Sequence, residues 1–134
     1  MTLGKKIKRI RTYRGMTQRE LGIRLGYKEN GADVRIAQYE ADQRRPKEET
    51  LYQIAEILEV NPFHFMRLEE GSPEEVIRSL LWLEEEKPDL IQHLKIGIIV
   101  WEWLSKKEAV RMGIMTEEEY QEWKWKFISN DCKD

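Results

Sequence analysis

Disulfides are out of reach for this chain. Its 134 residues include one cysteine, Cys132, and a single thiol cannot form an internal bridge, which excludes a disulfide-built secreted domain and fits a reducing compartment. Long hydrophobic runs are missing as well. The most apolar, Ile96 to Trp101, is closed by Lys95 and Glu102, far short of the roughly 20 residues a membrane-spanning helix needs. The opening MTLGKKIKRIR spaces charges where a signal peptide requires an apolar core, so a cytoplasmic location is expected. His64 and His93 have no Cys or His partner at ligand spacing, so both read as surface or core residues and no metal is expected. The glycines form no phosphate-cradling loop, and no nucleophile stands beside a histidine. Neither a cofactor nor catalysis is expected, and the chain reads as a non-enzyme. Strand-type alternation, internal repeats and low-complexity segments are also lacking.

The charge that is present falls unevenly. A formal net charge of −2 conceals 13 Lys and Arg against 5 Asp and Glu in residues 1–47, and 10 against 20 in the remainder. A basic first third suits a polyanion, because neutralising phosphates releases counterions, while an acidic remainder would be repelled from the same surface. The triplets Glu84 to Glu86 and Glu117 to Glu119 read as solvated helix surface.

Nearly every segment carries helical periodicity. Leu3, Ile7, Ile10 and Tyr13 recur at helix spacing up to Gly15, and Thr17 with Glu20 is a capping-box pattern that opens a second helix ending at Gly26. Val34, Ile36 and Tyr39 mark a third, closed by the basic loop Gln43-Arg44-Arg45-Pro46. Leu51, Ile54, Ala55 and Leu58 mark a fourth, and Asn61-Pro62 opens a short fifth through Phe63, Phe65 and Met66. The punctuation GSPEE at residues 71–75 then starts a sixth helix that runs to Glu86, with Ser72 and Pro73 at its head. Lys87-Pro88-Asp89 breaks it. A long helix is expected from Leu90 through Leu94, Ile98, Trp101 and Leu104 to near Gly113, and Thr116 with Glu119 opens a last one through Tyr120, Trp123 and Phe127.

The ordered set Gly15, Thr17-Gln18, Glu20-Leu21, Gly26, Ile36, Glu40, Pro46, Leu51, Ile54-Ala55, Leu58 and Val60 resembles the Cro and phage-repressor type of helix-turn-helix, the XRE family, over residues 3–68. The resemblance implies an all-α chain: a five-helix, lambda-repressor-like DNA-binding domain over residues 1–70, then a helical domain over 71–134 with about three further helices. It implies a bacterial or phage transcriptional regulator, a repressor in the first instance, without enzymatic activity or cofactor. The third helix would enter the major groove with Asp33, Val34, Arg35 and Gln38 facing DNA and Ile36 and Tyr39 facing the core, while Arg11 and Glu40 would form an internal ion pair. In that pose Arg35 can read guanine, Gln38 adenine, and Val34 a thymine methyl. Thr17 and Gln18, at the start of the second helix, can meet a phosphate. Arg44, Arg45 and Lys47 are expected to touch phosphates, with Lys28, Arg14 and Lys5 as further candidates. The interval from Gly26 to Glu40 is longer than in the family's usual motif, so extra residues are inserted before the recognition helix. Asn30-Gly31 marks a turn there, Asp33 is a candidate cap for the third helix, and Tyr27, Lys28 and Asn30 are expected beside the DNA backbone.

All five tryptophans, Trp82, Trp101, Trp103, Trp123 and Trp125, follow residue 80. Trp101 and Trp103 stand about 200° apart on a helix, as do Trp123 and Trp125, so one of each pair looks outward. These four are candidates for an oligomer interface. The segment RMGIMTEEEYQEWKWKF resembles the short C-terminal motif of many bacterial proteins, a small helical hairpin. Repressors of this type commonly act as homodimers on pseudo-palindromic operators, with half-sites roughly 34 Å apart. Two alternatives stay open: an antitoxin-like autoregulator whose tail binds a partner protein, and a regulator whose tail holds a small ligand.

Overall fold

Two units divide the chain, Met1–Trp82 and the remainder from Leu83, and each is described by itself. The computed structural model describes residues 1–93 and 95–127; Leu94, Cys132 and the side chain of His93, all named above, lie outside the described residues. Those residues form eight α-helices and one 3-10 turn and contain no strand. None of the described helices is long and apolar enough to cross a membrane.

In the first unit, local chemistry sets the helix starts. Thr2 caps α1 (Leu3–Tyr13) by accepting from the Lys5 N–H. Thr17 caps α2 (Gln18–Arg24) in a full capping box with Glu20, an arrangement that satisfies two otherwise orphaned donors. The next helix, α3 (Ala32–Glu40), starts without a side-chain cap, because Gly31 holds the N-cap position at φ 101°, a left-handed conformation open to glycine. Asp33 therefore lies inside the first turn and does not cap it, a correction to the sequence reading. Its helix begins at Ala32, which is fully buried. Helix α4 (Glu48–Leu58) ends at Glu59 in the left-handed region. The expected fifth helix is a single 3-10 turn, Pro62–His64, capped by Asn61.

Ile7, Leu21, Ile36, Tyr39, Leu51, Ile54, Leu58 and Phe65 close one core, each contributing on the order of 1.5–3 kcal/mol on burial. The helices can approach closely because α1 and α2 carry glycine at their crossings with α3. A Cβ on Gly4 would lie 2.4 Å from the Glu40 carbonyl oxygen, and one on Gly22 would lie 2.6 Å from that of Ala32. The Gly4 N–H also donates to Asp42 Oδ1 at 2.8 Å.

This unit continues past residue 70. Helix α5 (Pro73–Glu86), started by Ser72 accepting from the Glu75 N–H, reaches back through two side chains. Arg78 donates to the carbonyls of Phe63 and Met66 at 2.9 and 2.5 Å. Trp82 donates through Nε1 to His64 Nδ1 at 3.1 Å, and Lys6 lies over its ring. Burial, with the charges of Lys6 and Arg78, lowers the His64 pKa, which keeps the ring neutral and its nitrogen able to accept.

From Leu83 on, the chain continues through α6 (Pro88–His93), α7 (Ile96–Arg111) and α8 (Glu117–Lys126). The single long helix expected from Leu90 is thus two, because Lys95 adopts φ 43°, outside the helical region. Gly113 at φ 73° turns the chain after α7, and Thr116 with Glu119 forms the second capping box. Trp103 Nε1 donates to the Tyr120 hydroxyl at 2.7 Å, tying α7 to α8. Trp123 stacks on Tyr120, centroids 6.0 Å apart. Trp101 and Trp125 point outward, 70 % and 73 % exposed.

Candidate nucleic-acid interface

A polar knot fixes α3 against the two helices before it. Glu40 is buried and accepts from Arg11 Nε at 2.5 Å and Nη2 at 3.1 Å, the two-point geometry that makes guanidinium–carboxylate pairs strong. Gln18 Nε2 donates to the same carboxylate at 2.7 Å. Arg11 also donates to the Met16 carbonyl at 2.7 Å. One buried carboxylate therefore links α1, α2 and α3. The Gln18 amide, read from the sequence as a phosphate contact, has one N–H turned inward, which leaves its second N–H for a ligand.

On the outside of this knot, Gln18, Asp33, Val34, Ala37, Gln38, Ala41 and Gln43 line one shallow concave surface. Their spacing on α3 follows from 3.6 residues per turn, which places positions 33, 34, 37, 38 and 41 on one face. Val34 is 55 % exposed. Ala37 and Ala41 escaped the sequence reading, since an alanine carries no chemistry; their small size keeps the face low enough for a groove edge to approach. Arg35 does not share this surface. It stands about 130° around the helix from the centre of that face, with its guanidinium over the Tyr27 ring, 5.4 Å from the centroid.

Arg44, Arg45 and Lys47 are exposed on the loop after α3, around a buried Pro46. Lys28 and Lys5 are exposed as well. Arg14 is committed elsewhere: it donates to the Leu58 and Glu59 carbonyls at 2.9 and 3.0 Å, closing the C-terminus of α4. That end carries partial negative charge, which accounts for the choice of a cation. Thr17 Oγ1 accepts from the Glu20 N–H at 3.1 Å. The backbone N–H and hydroxyl of Thr17 lower the Glu20 pKa, keeping that carboxylate ionised. Arg19 of α2 and Glu29 of the following loop form an exposed ion pair at 2.6 Å, a contact worth little on its own. No group of three His, Cys, Asp or Glu among the described residues could hold a metal ion.

Residues 4–71 match the family model described as a helix-turn-helix domain. No curated protein and no solved structure matches the chain.

Proposed function

The chain belongs to the helix-turn-helix domain family, of the Cro and phage-repressor type, and from that premise we propose that it is a sequence-specific transcriptional repressor that binds a pseudo-palindromic operator as a homodimer. Domains of this family bind DNA and are typically non-enzymatic. The observation that carries the finer reading is the concave face of α3, where Gln18, Asp33, Val34, Ala37 and Gln38 stand together. Gln38 can bond adenine through N6 and N7, Val34 can pack on a thymine methyl, and Asp33 can accept from cytosine N4. Thr17, the remaining N–H of Gln18, Lys28, Arg44, Arg45 and Lys47 supply phosphate contacts that set the register. Selection of bound duplexes from random DNA tests the reading, and an inverted repeat is the expected product. Gln38→Ala should then lose about 1–2 kcal/mol of discrimination at one position of each half-site, whereas Arg45→Ala should weaken all DNA alike. Equal losses from Gln38→Ala on operator and random duplex would remove that residue from the reading face.

Dimerisation is assigned to the segment from Leu83 on. Ile98, Trp101 and Leu104 lie along one side of α7 and are 58 %, 70 % and 58 % exposed, and α8 adds the outward Trp125. Apolar side chains so open to water on a small domain support an interface. Trp103 and Trp123 serve the hairpin itself through Tyr120. Trp101→Glu combined with Trp125→Glu should give a monomer in light scattering, with operator affinity reduced about tenfold or more as the second half-site is lost. A dimer of unchanged stability would move the interface elsewhere, and a stoichiometric companion protein on purification would favour a partner-binding tail.

A further inference from the structure

We propose that Tyr27 is a positioning residue that holds the Arg35 guanidinium as a clamp for a DNA backbone phosphate on the flank of α3. This rests on the DNA-binding reading above and goes beyond it, because it assigns a role to the inserted segment and moves Arg35 from base reading to the phosphate rim.

Tyr27 is tied through both its backbone and its hydroxyl. Its backbone N–H donates to the Gly22 carbonyl of α2 at 3.0 Å, and its hydroxyl shares a 2.8 Å hydrogen bond with that of Tyr39, which is buried in α3. A ring held so firmly is a fixed platform. Arg35 places its guanidinium over that platform, where the negative face of the ring attracts it. Stacking occupies the face of a guanidinium and leaves its edge donors available, and those donors match two oxygens of one phosphate. Neither Arg35 nor Arg44 makes a side-chain hydrogen bond or ion pair among the described residues.

Both cations also act on the same hydroxyl. Burial and the bond to Tyr39 push the Tyr27 pKa up to about 12, while the charges of Arg35 and Arg44 oppose that rise. The guanidinium of Arg35 thus lies over a phenol that stays neutral. In a major-groove pose the outer face of a helix meets base edges and its flanks meet the sugar-phosphate walls. Arg35, about 130° from the centre of the outer face, is on the wall side.

The test uses the full chain, fluorescence anisotropy over a salt series, a selected operator duplex and a random duplex of equal length. Arg35→Ala should weaken both duplexes by the same factor, about three- to tenfold, and reduce the salt slope by about one. Tyr27→Leu should do the same in the wild type, and should add nothing once Arg35 is already alanine. Tyr27→Phe, which keeps the ring and drops the hydroxyl tie, should fall between. Should Tyr27→Leu lower the melting temperature, the cycle is run with Tyr27→Phe in its place. A loss confined to the operator returns Arg35 to base reading and overturns the clamp, and additive losses overturn the positioning role. A wild-type chain that binds neither duplex defeats the DNA reading itself, an outcome distinct from either.

Discussion

Glu40→Ala is expected to destabilise the first unit by about 3–5 kcal/mol, the cost of leaving a buried charge without its partner. Glu40 takes three side-chain donors from two helices. Without it, Arg11, only 9 % exposed, keeps the Met16 carbonyl alone, and Gln18 loses its inward partner. Urea unfolding followed by far-UV circular dichroism measures the effect. DNA binding should disappear with it, although Glu40 lies behind the proposed reading face. The decisive comparison is Arg11→Met with Glu40→Leu together, since a buried ion pair replaced by apolar groups of similar size often costs little. The double variant should recover most of the stability lost by Glu40→Ala. If it is no more stable than the single variant, the ion pair is not what the single change breaks.

Gly4→Ala and Gly22→Ala should each destabilise by about 3 kcal/mol, the upper end of what overpacking costs. The added methyl would meet backbone in both cases, the Glu40 and Tyr39 carbonyls at 2.4 and 2.5 Å for Gly4 and the Ala32 carbonyl at 2.6 Å for Gly22. Backbone cannot rotate away as a side chain can, so the helices must separate. In Gly4→Ala that movement also strains the bond from the Gly4 N–H to Asp42. Helix propensity pulls the other way by at most about 1 kcal/mol. Gly97 in α7 is the internal control: nothing lies within 4 Å of a Cβ there, and Gly97→Ala should be neutral or stabilising by up to about 1 kcal/mol. Thermal melting of the three variants separates the cases. Equal behaviour at all three positions would mean that close approach is not what these glycines serve.

Gly4 and Gly22 also show where sequence reasoning stops. Thr17, Glu20, Thr116 and Glu119 announced their helix starts because a capping box is local, four residues acting on one another. Ile7, Leu21, Ile36 and Leu58 were readable as core because burial follows the helical period. A glycine at a helix crossing has no local signature, since its reason is a carbonyl that α3 brings near from far along the chain. The same holds for Arg14, whose partners on α4 lie more than forty residues away, and for Gln18, whose inward bond depends on where Glu40 comes to rest. Asp33 was misjudged for a different reason. A capping side chain followed by helical periodicity suggested a start at Val34, but burial of Ala32 extended the helix by two residues, and tertiary packing outweighed the local preference. Tyr27 was placed beside the DNA backbone from loop position alone; its bond to Tyr39 and its ring beneath Arg35 depend on two helices meeting.

The division of labour on α3 has a consequence for how such a protein can change. Ile36, Tyr39 and Glu40 face inward and hold the helix, whereas the side chains of Asp33, Val34, Ala37 and Gln38 enter none of the bonds that hold the first unit together among the described residues. Substitutions at those four positions leave the knot and the core as they are. Under the proposed reading of that face, target preference can therefore drift, or be redesigned, on an unchanged scaffold: a duplicated copy of this chain would need only a handful of outward substitutions to serve a different site, and could make them one at a time while remaining folded.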